Sequence, residues 1–296
     1  MAFIPQGIIP AMVTPLTRQG KINEKGLRQF VDYLIEGGSH GLFVVGTTGE
    51  FYGLSAEEKK ELFEITVDQA RGRVPVYAGT GAITTREVIQ LTRYAEEARV
   101  DAVSVLTPMF INPSQQELIR HYTAIAESTR LPVLLYNNPP KTGVNLAAAT
   151  VAKLADVPNI VGVKDSSGDF TLTGEYIRLT RGKDFHVLLG RDTLIHAGLC
   201  YGGKGSIAAC ANVAPRLVAD IYDKYVAGDI KGSLEAQFKL APLRIAFTLG
   251  TFPAVIKESL ELLGIDAGTC MAPVGAMSAE EKQQLRKILT DMGLLK

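Results

Sequence analysis

A lysine ends an apolar run in Asn159–Gly168, NIVGVKDSSG, where Ile160, Val161 and Val163 read as the inside of a buried strand. An unpaired ammonium is costly to bury, so Lys164 needs either a surface to reach or a task. Desolvation disfavours its charged form, and a neutral amine is the nucleophile that forms a Schiff base with a ketone. Two other stretches suit the same chemistry on a small keto acid. Gly46-Thr47-Thr48-Gly49-Glu50 supplies backbone N–H groups and two hydroxyls, enough to bind a carboxylate without another charge. Tyr136, in LLYNNPPKTG, offers a phenol for proton transfer. Alone, each has a plainer reading: a lysine reaching water, a tight turn, a packed aromatic. Whether they meet depends on the elements that carry them.

Short apolar runs recur along the chain: Gly7–Val13, Leu42–Gly46, Val74–Gly79, Asp101–Thr107, Leu131–Asn137, Asn159–Lys164, Phe185–Gly190 and Gly205–Ala209. Helical patterns lie between them, and two open on a capping serine followed three residues later by glutamate, at Ser55 and Ser114. Continuous apolar runs joined by helical crossovers mean a parallel sheet. Eight such units predict an α/β fold, a closed (β/α)8 TIM barrel. The alternative, an open doubly wound sheet, wants a GxGxxG turn after its first strand, and VTPLTRQGK is not one. Beyond about Ala211 the alternation stops, and 213–227, 230–247, 252–263 and 278–292 all read as helix. The expected organisation is a barrel over 1–211 with a C-terminal helical extension over 212–296.

In such a barrel the chemistry sits at the C-terminal ends of the strands. Those ends read GTTGE, GTG, Thr107-Pro108, Tyr136-Asn137, Lys164-Asp165-Ser166-Ser167, Gly190-Arg191-Asp192 and Ile207-Ala208, with Lys164 the one lysine among them. The phosphate-binding positions of this fold, after strands seven and eight, hold GRDT and ACANVAP, which argues against a phosphorylated substrate. The four histidines show no ligand spacing and no GxSxG appears, so neither a metal site nor a serine nucleophile is expected.

Composition narrows the partners. The 296 residues carry 31 basic and 31 acidic side chains, with no basic block to attract nucleic acid or an anionic membrane. Cys200, Cys210 and Cys270 are sparse and scattered, as in a reducing cytoplasm. MAFIPQGIIPAMVTP lacks the basic start of a signal peptide, and no apolar run is long enough to span a bilayer. The expected location is cytoplasmic.

GIIPAMVTP, GTTGE, LTPMFINPSQ, LLYNNPPKTG, GVKDSSGD, GRD and GSIAACAN, at these spacings along the whole chain, resemble the dihydrodipicolinate synthase/N-acetylneuraminate lyase family of pyruvate-dependent class I aldolases. The resemblance implies that Lys164 forms an imine with pyruvate and that no other cofactor is needed. It implies that Thr47 and Thr48 hold the pyruvate carboxylate, with Thr47 also in a proton relay through Tyr136. Gly190 and Ile207 would line the pyruvate pocket. It further implies a homotetramer, a dimer of dimers, with an aldehyde as second substrate.

Three departures from the family pattern matter. A relay tyrosine reaching the neighbouring subunit's site is replaced by Phe110, which has no hydroxyl. The arginine that grips the aldehyde's carboxylate is Lys141, which lacks the bidentate fork. Ile83 and Met109 replace residues of the lysine-inhibited enzymes, and Thr193 replaces the acidic residue of the sialic-acid lyases. Lys141, Ser166, Arg191 and Asp192 remain the candidates for binding the second substrate. The pattern leans toward a lyase or aldolase for a 2-keto-3-deoxy type of acid. The alternatives are 4-hydroxy-tetrahydrodipicolinate synthesis from pyruvate and aspartate semialdehyde, a 2-keto acid dehydratase or deaminase using the same imine, and a keto-acid-binding protein without turnover.

Overall fold

The computed structural model describes residues 3–295. Eight strands alternate with helices: β1 Gly7–Pro10, β2 Leu42–Val44, β3 Val76–Gly79, β4 Ala102–Leu106, β5 Val133–Asn137, β6 Ile160–Asp165, β7 His186–Leu189 and β8 Gly205–Ala208. The helices between them are α1 Glu24–Glu36, α2 Ala56–Ala70, α3 Thr85–Glu97, α4 Gln115–Glu127, the single turn α5 Pro139–Thr142, α6 Ala148–Leu154, α7 Phe170–Leu179 and α8 Ile195–Tyr201. Four more follow β8: α9 Pro215–Val226, α10 Ile230–Ala246, α11 Ala254–Leu262 and α12 Ala279–Asp291. Ser55 and Ser114 begin α2 and α4 through reciprocal bonds with Glu58 and Glu117, and Ser278 with Glu281 does the same for α12.

All strands are parallel, in the order β1-β8-β7-β6-β5-β4-β3-β2. A parallel bridge between Ala11 and Phe43 brings the two ends together, with Met12 N donating to Phe43 O at 2.9 Å. The result is the expected (β/α)8 barrel. Because strand side chains alternate, the apolar runs split into two cores. Ile9, Ala11, Phe43, Tyr77, Ala102, Leu134, Leu188 and Ile207 fill the barrel, while Ile8, Val44, Val105, Leu135 and Val163 face the helices.

The helices after β8 do not stand apart. Helix α9 packs on β1 and α8. Asn212 stitches the same corner, accepting from Val13 N at 3.0 Å and donating to Ala11 O at 2.8 Å. Leu240, Leu260, Leu285 and Leu289, from α10, α11 and α12, belong to the same buried cluster as the barrel's outer face. Among the described residues no helix is long and apolar enough to cross a membrane.

One buried ion pair joins the C-terminal helices to the barrel mouth. Lys257 on α11 lies 2.7 Å from Glu50, with side-chain exposures of 2% and 0%. Lys257 also donates to Thr269 O at 2.7 Å, and the other Glu50 oxygen accepts from Met271 N at 2.7 Å. Removing one member of such a pair leaves the other charge buried and uncompensated. Lys257→Met should therefore cost about 3–5 kcal/mol in urea unfolding, and adding Glu50→Gln should recover part of the loss. Equal stability of Lys257→Met and the unaltered protein would show that the pair does not hold this corner.

Candidate active site

The turn that follows β2 is bent against its own preferences. Val45, a β-branched residue, has φ 60, and Glu50 at the far side has φ 58, both in the left-handed region. The Val45 carbonyl is thrown toward β3, where a Cβ on Gly79 would lie 2.1 Å from it, so only glycine fits there. Within the turn, Gly49 N and Phe51 N donate to Gly46 O, and Glu50 N to Thr47 O. Thr14 Oγ1 donates to Gly49 O at 2.7 Å from the first barrel loop. The N–H groups of Thr47 and Thr48 donate to no protein acceptor among the described residues. They stand beside two hydroxyls at the barrel mouth, a set of donors with no negative charge among them.

Parallel pairing brings the next two groups together. Tyr136 on β5 is the register partner of Lys164 on β6, so both point to the barrel interior. Both are 4% exposed. The Lys164 amine lies over the Tyr136 ring at 4.0 Å from its centroid and over the Phe43 ring at 4.9 Å. Two aromatic faces thus hold a cation that has lost its water. Tyr136 Oη shares a hydrogen bond with Thr47 Oγ1 at 3.2 Å and accepts from Asn138 Nδ2 at 3.0 Å. Burial alone would push the phenol's pKa up, but the Lys164 charge, helped by Thr47 and Ser166, outweighs it and leaves the phenol below its ordinary value.

These groups line a cavity of about 280 Å³. Thr47, Thr48, Tyr136, Lys164, Gly190 and Ile207 form its floor and walls; Lys141, Ser166, Arg191 and Asp192 border it too, so every candidate from the sequence faces one space. Larger clefts of about 690 and 710 Å³ lie beside α11 and beside α7 and α8, away from Lys164 and Tyr136. Gly190 matters for what it lacks: a Cβ there would meet Ser166 Oγ at 1.9 Å. Asp165, next to Lys164, points the other way and accepts from Asn137, Ser167 and Thr173, anchoring the start of α7.

Asp192 is 2% exposed, and its carboxyl is held above the usual range by burial, against the pull of Cys210 N–H and Arg244. Oδ1 accepts from Cys210 N at 2.9 Å, while Oδ2 lies 3.5 Å from Arg244 Nε. Asp192 thus spends its oxygens on the protein. Arg191 Nε donates to Ser166 O at 3.1 Å. Lys141 is exposed at the rim. Phe110 stands outside the cavity, 91% exposed and with φ 71.

Sequence reasoning missed Asn138, Phe43, Arg244, Phe247, Thr248 and Phe252, of which all but Phe43 line the cavity. Asn138 was within reach, two residues from Tyr136 in the same motif. The last four come from α10 and the loop after it, where no strand end marks a place in the mouth. Among the described residues no group of three or more histidine, cysteine, aspartate or glutamate side chains gathers as a metal site.

Comparison with known proteins shows the family. The profile of the dihydrodipicolinate synthetase family matches residues 4–292. The 4-hydroxy-tetrahydrodipicolinate synthase of Acidiphilium cryptum is 41% identical over 289 residues, covering 98% of this chain and 99% of its own. That of Methanopyrus kandleri is 40% identical over 297 residues, covering 100% and 99%. Among solved structures, dihydrodipicolinate synthase from Aquifex aeolicus superimposes with a TM-score of 0.94 at 32% identity, covering 98% of this chain and 99% of its own. YagE from E. coli K12, a prophage protein of the dihydrodipicolinic acid synthase family solved with pyruvate, gives 0.95 at 35%, with the same coverage.

The Lys164 charge is what holds the Tyr136 phenol down, so its removal should reverse the shift. In Lys164→Met, burial dominates and Tyr136 should ionise above the ordinary tyrosine value of about 10, rather than below it. The tyrosinate absorbance of each protein, minus that of its Tyr136→Phe counterpart, isolates the one phenol. Coincident titrations with and without Lys164 would disprove the coupling.

Proposed function

The chain belongs to the dihydrodipicolinate synthetase family, and on that premise we propose that Lys164, Tyr136, Thr47 and Thr48 carry an imine-based reaction of pyruvate with an aldehyde. Members of this family are lyases of the class I aldolase kind. The observation that carries the residue assignment is the Lys164 amine held dry against the Tyr136 ring, in register and at 4.0 Å.

In the cleavage direction the neutral amine attacks C2 of a 2-keto-4-hydroxy acid, and water leaves to give a protonated imine. The C3–C4 bond then breaks with its electron pair moving toward the imine nitrogen, forming an enamine. The proton of the C4 hydroxyl passes to Tyr136, which Thr47 and Asn138 orient, and the aldehyde departs. Protonation at C3 and addition of water release pyruvate and restore Lys164. Synthesis is the reverse. The free N–H groups and hydroxyls of Thr47 and Thr48 receive the carboxylate of the pyruvate portion, with Gly190 and Ile207 shaping that end. The lysine imine serves in place of a cofactor in this scheme.

Lys141, Ser166, Arg191 and Asp192 lie on the other substrate's side, and the departures at 110 and 141 favour an acid of the 2-keto-3-deoxy type. The names of the relatives favour a second reading, 4-hydroxy-tetrahydrodipicolinate synthesis. Exposed Phe110, Ile111 and Ile83 leave apolar surface on the single chain, in keeping with a homotetramer, and a cytoplasmic setting completes the reading.

Borohydride with pyruvate should trap an adduct on Lys164 by peptide mapping, and Lys164→Ala should lose both the adduct and turnover. An adduct on Lys204 or Lys257 instead would refute the assignment. A coupled assay of pyruvate release from 2-keto-3-deoxy acids, beside condensation with aspartate semialdehyde, separates the two substrate readings. Phe110→Tyr sharpens that choice: we expect little change in aspartate-semialdehyde condensation. A gain of about 10²–10⁴-fold, typical of a restored acid–base group, would favour the second reading.

A further inference from the structure

Beside Thr47 and Tyr136 the barrel interior has a gap that two glycines leave open. Along β4, Ala102 fills the barrel while Val103 and Val105 belong to the cluster facing the helices, so alternation turns Ser104 inward. Its register partner on β3 is Gly79, kept bare by the Val45 carbonyl. Gly81 is kept bare as well, since a Cβ there would lie 2.8 Å from Leu106 Cβ. The result is a cavity of about 10 Å³, room for one water, with Phe43, Phe51 and Leu106 as apolar walls.

The polar groups around this cavity do not balance. Ser104 is 1% exposed, and its hydroxyl has no hydrogen-bond partner among the described residues. Gly46 and Gly81, also buried, line the same cavity, and neither N–H donates to a protein acceptor among the described residues. Buried polar groups in folded proteins pair with protein or with ordered water, so three of them around one water-sized space define a water site. Thr47 and Tyr136 complete its wall. Thr47 Oγ1 bonds Tyr136 Oη at 3.2 Å and no other protein group among the described residues.

We propose that a single water, held by the Gly46 and Gly81 N–H groups and by Ser104 Oγ, aims the Thr47 hydroxyl at Tyr136, and that Ser104 is thereby a positioning residue of the reaction. Donor counting gives the direction. An amide N–H only donates, so the two amides occupy the lone pairs of the water and leave both its protons free. One proton goes to Ser104 Oγ and the other to Thr47 Oγ1, whose own proton is then directed at Tyr136 Oη. Tyr136 receives hydrogen bonds from Thr47 and Asn138 together, which favours the ionised phenol that accepts a proton from substrate. Ser104 lines no part of the cavity around Lys164 and acts through the water. The water site stands on its own; its effect on turnover rests on the imine reading above.

High-resolution crystals of the unaltered protein should show one ordered water among Ser104, Gly46, Gly81 and Thr47, and Ser104→Val should fill the space and expel it. Without density at that place the proposal falls. Function is read with pyruvate alone, as deuterium uptake at its methyl group in D2O followed by NMR. Enamine formation removes a C3 proton, and Tyr136 is the acid–base group beside the amine. Ser104→Val should slow saturated uptake about 3–10-fold, as for one lost neutral hydrogen bond. The pyruvate concentration at half-saturation and the amount of borohydride-trapped adduct should not change. The Tyr136 titration, isolated by subtraction of Tyr136→Phe, should move up in Ser104→Val. Ser104→Ala, smaller than the native residue, keeps the space with one partner fewer and should lie between. Equal uptake in all three proteins overturns the proposal, and so does a loss in which trapping, half-saturation and uptake change together, the mark of a merely structural serine. No trapping by the unaltered protein sinks the imine reading and the positioning role with it, while the density still decides the water site.

Discussion

An amine kept out of water at the mouth of a barrel is the constraint on which the rest of this structure depends. Lys164 sits at the end of a strand whose other residues are apolar, and its buried nitrogen needs compensation that a hydrocarbon interior does not provide. The protein supplies it with two ring faces, a phenol that the cation itself makes more acidic, and the dipoles of Thr47, Asn138 and Ser166 around that phenol. These groups come from β2, β5, β6 and the turns that follow them, and parallel register sets the amine against the phenol.

The turn carrying Thr47 and Thr48 shows how the surrounding structure is made to serve that point. A β-branched residue with positive φ persists only where its neighbours leave no choice. Gly79 makes room for the displaced carbonyl, Thr14 holds the turn from one side, and Glu50 is locked by Lys257 from the other. The turn leaves the backbone N–H groups of Thr47 and Thr48 without a protein acceptor among the described residues. The C-terminal helices are thus part of the mouth. Helix α11 holds the Glu50 end of the turn through Lys257, and α10 lines the cavity with Arg244 and the aromatic loop behind it.

The two sides of the cavity differ in character. Around Lys164 the residues Thr47, Thr48, Tyr136, Gly190 and Ile207 keep to the family pattern. The rim departs from that pattern at Lys141, and the cavity's other cations, Arg191 and Arg244, come from two further elements with no shared motif. Such a wall can change its preference through helix side chains without disturbing the imine, since Arg244 touches neither Tyr136 nor Lys164.

The order of the eight strands, the capping serines at 55 and 114, and the meeting of GTTGE, Tyr136 and Lys164 were all legible in the chain. They follow from apolar periodicity and from the rule that strand ends in a closed parallel barrel converge. Those are local properties, repeated every unit, and one sequence carries them. The chain does not announce that Val45 turns left-handed, that Glu50 spends its charge on Lys257 two hundred residues away, or that Asp192 serves an arginine rather than a ligand. Arg244 was hidden for the same reason. On a helix read as an extension it has the look of any surface arginine, and only the packing of α10 over the β7 and β8 ends turns it inward. Pattern along the chain determines which face of an element is buried. Which distant charge comes to rest beside it is decided by how whole elements pack, and that is a property of the tertiary structure alone.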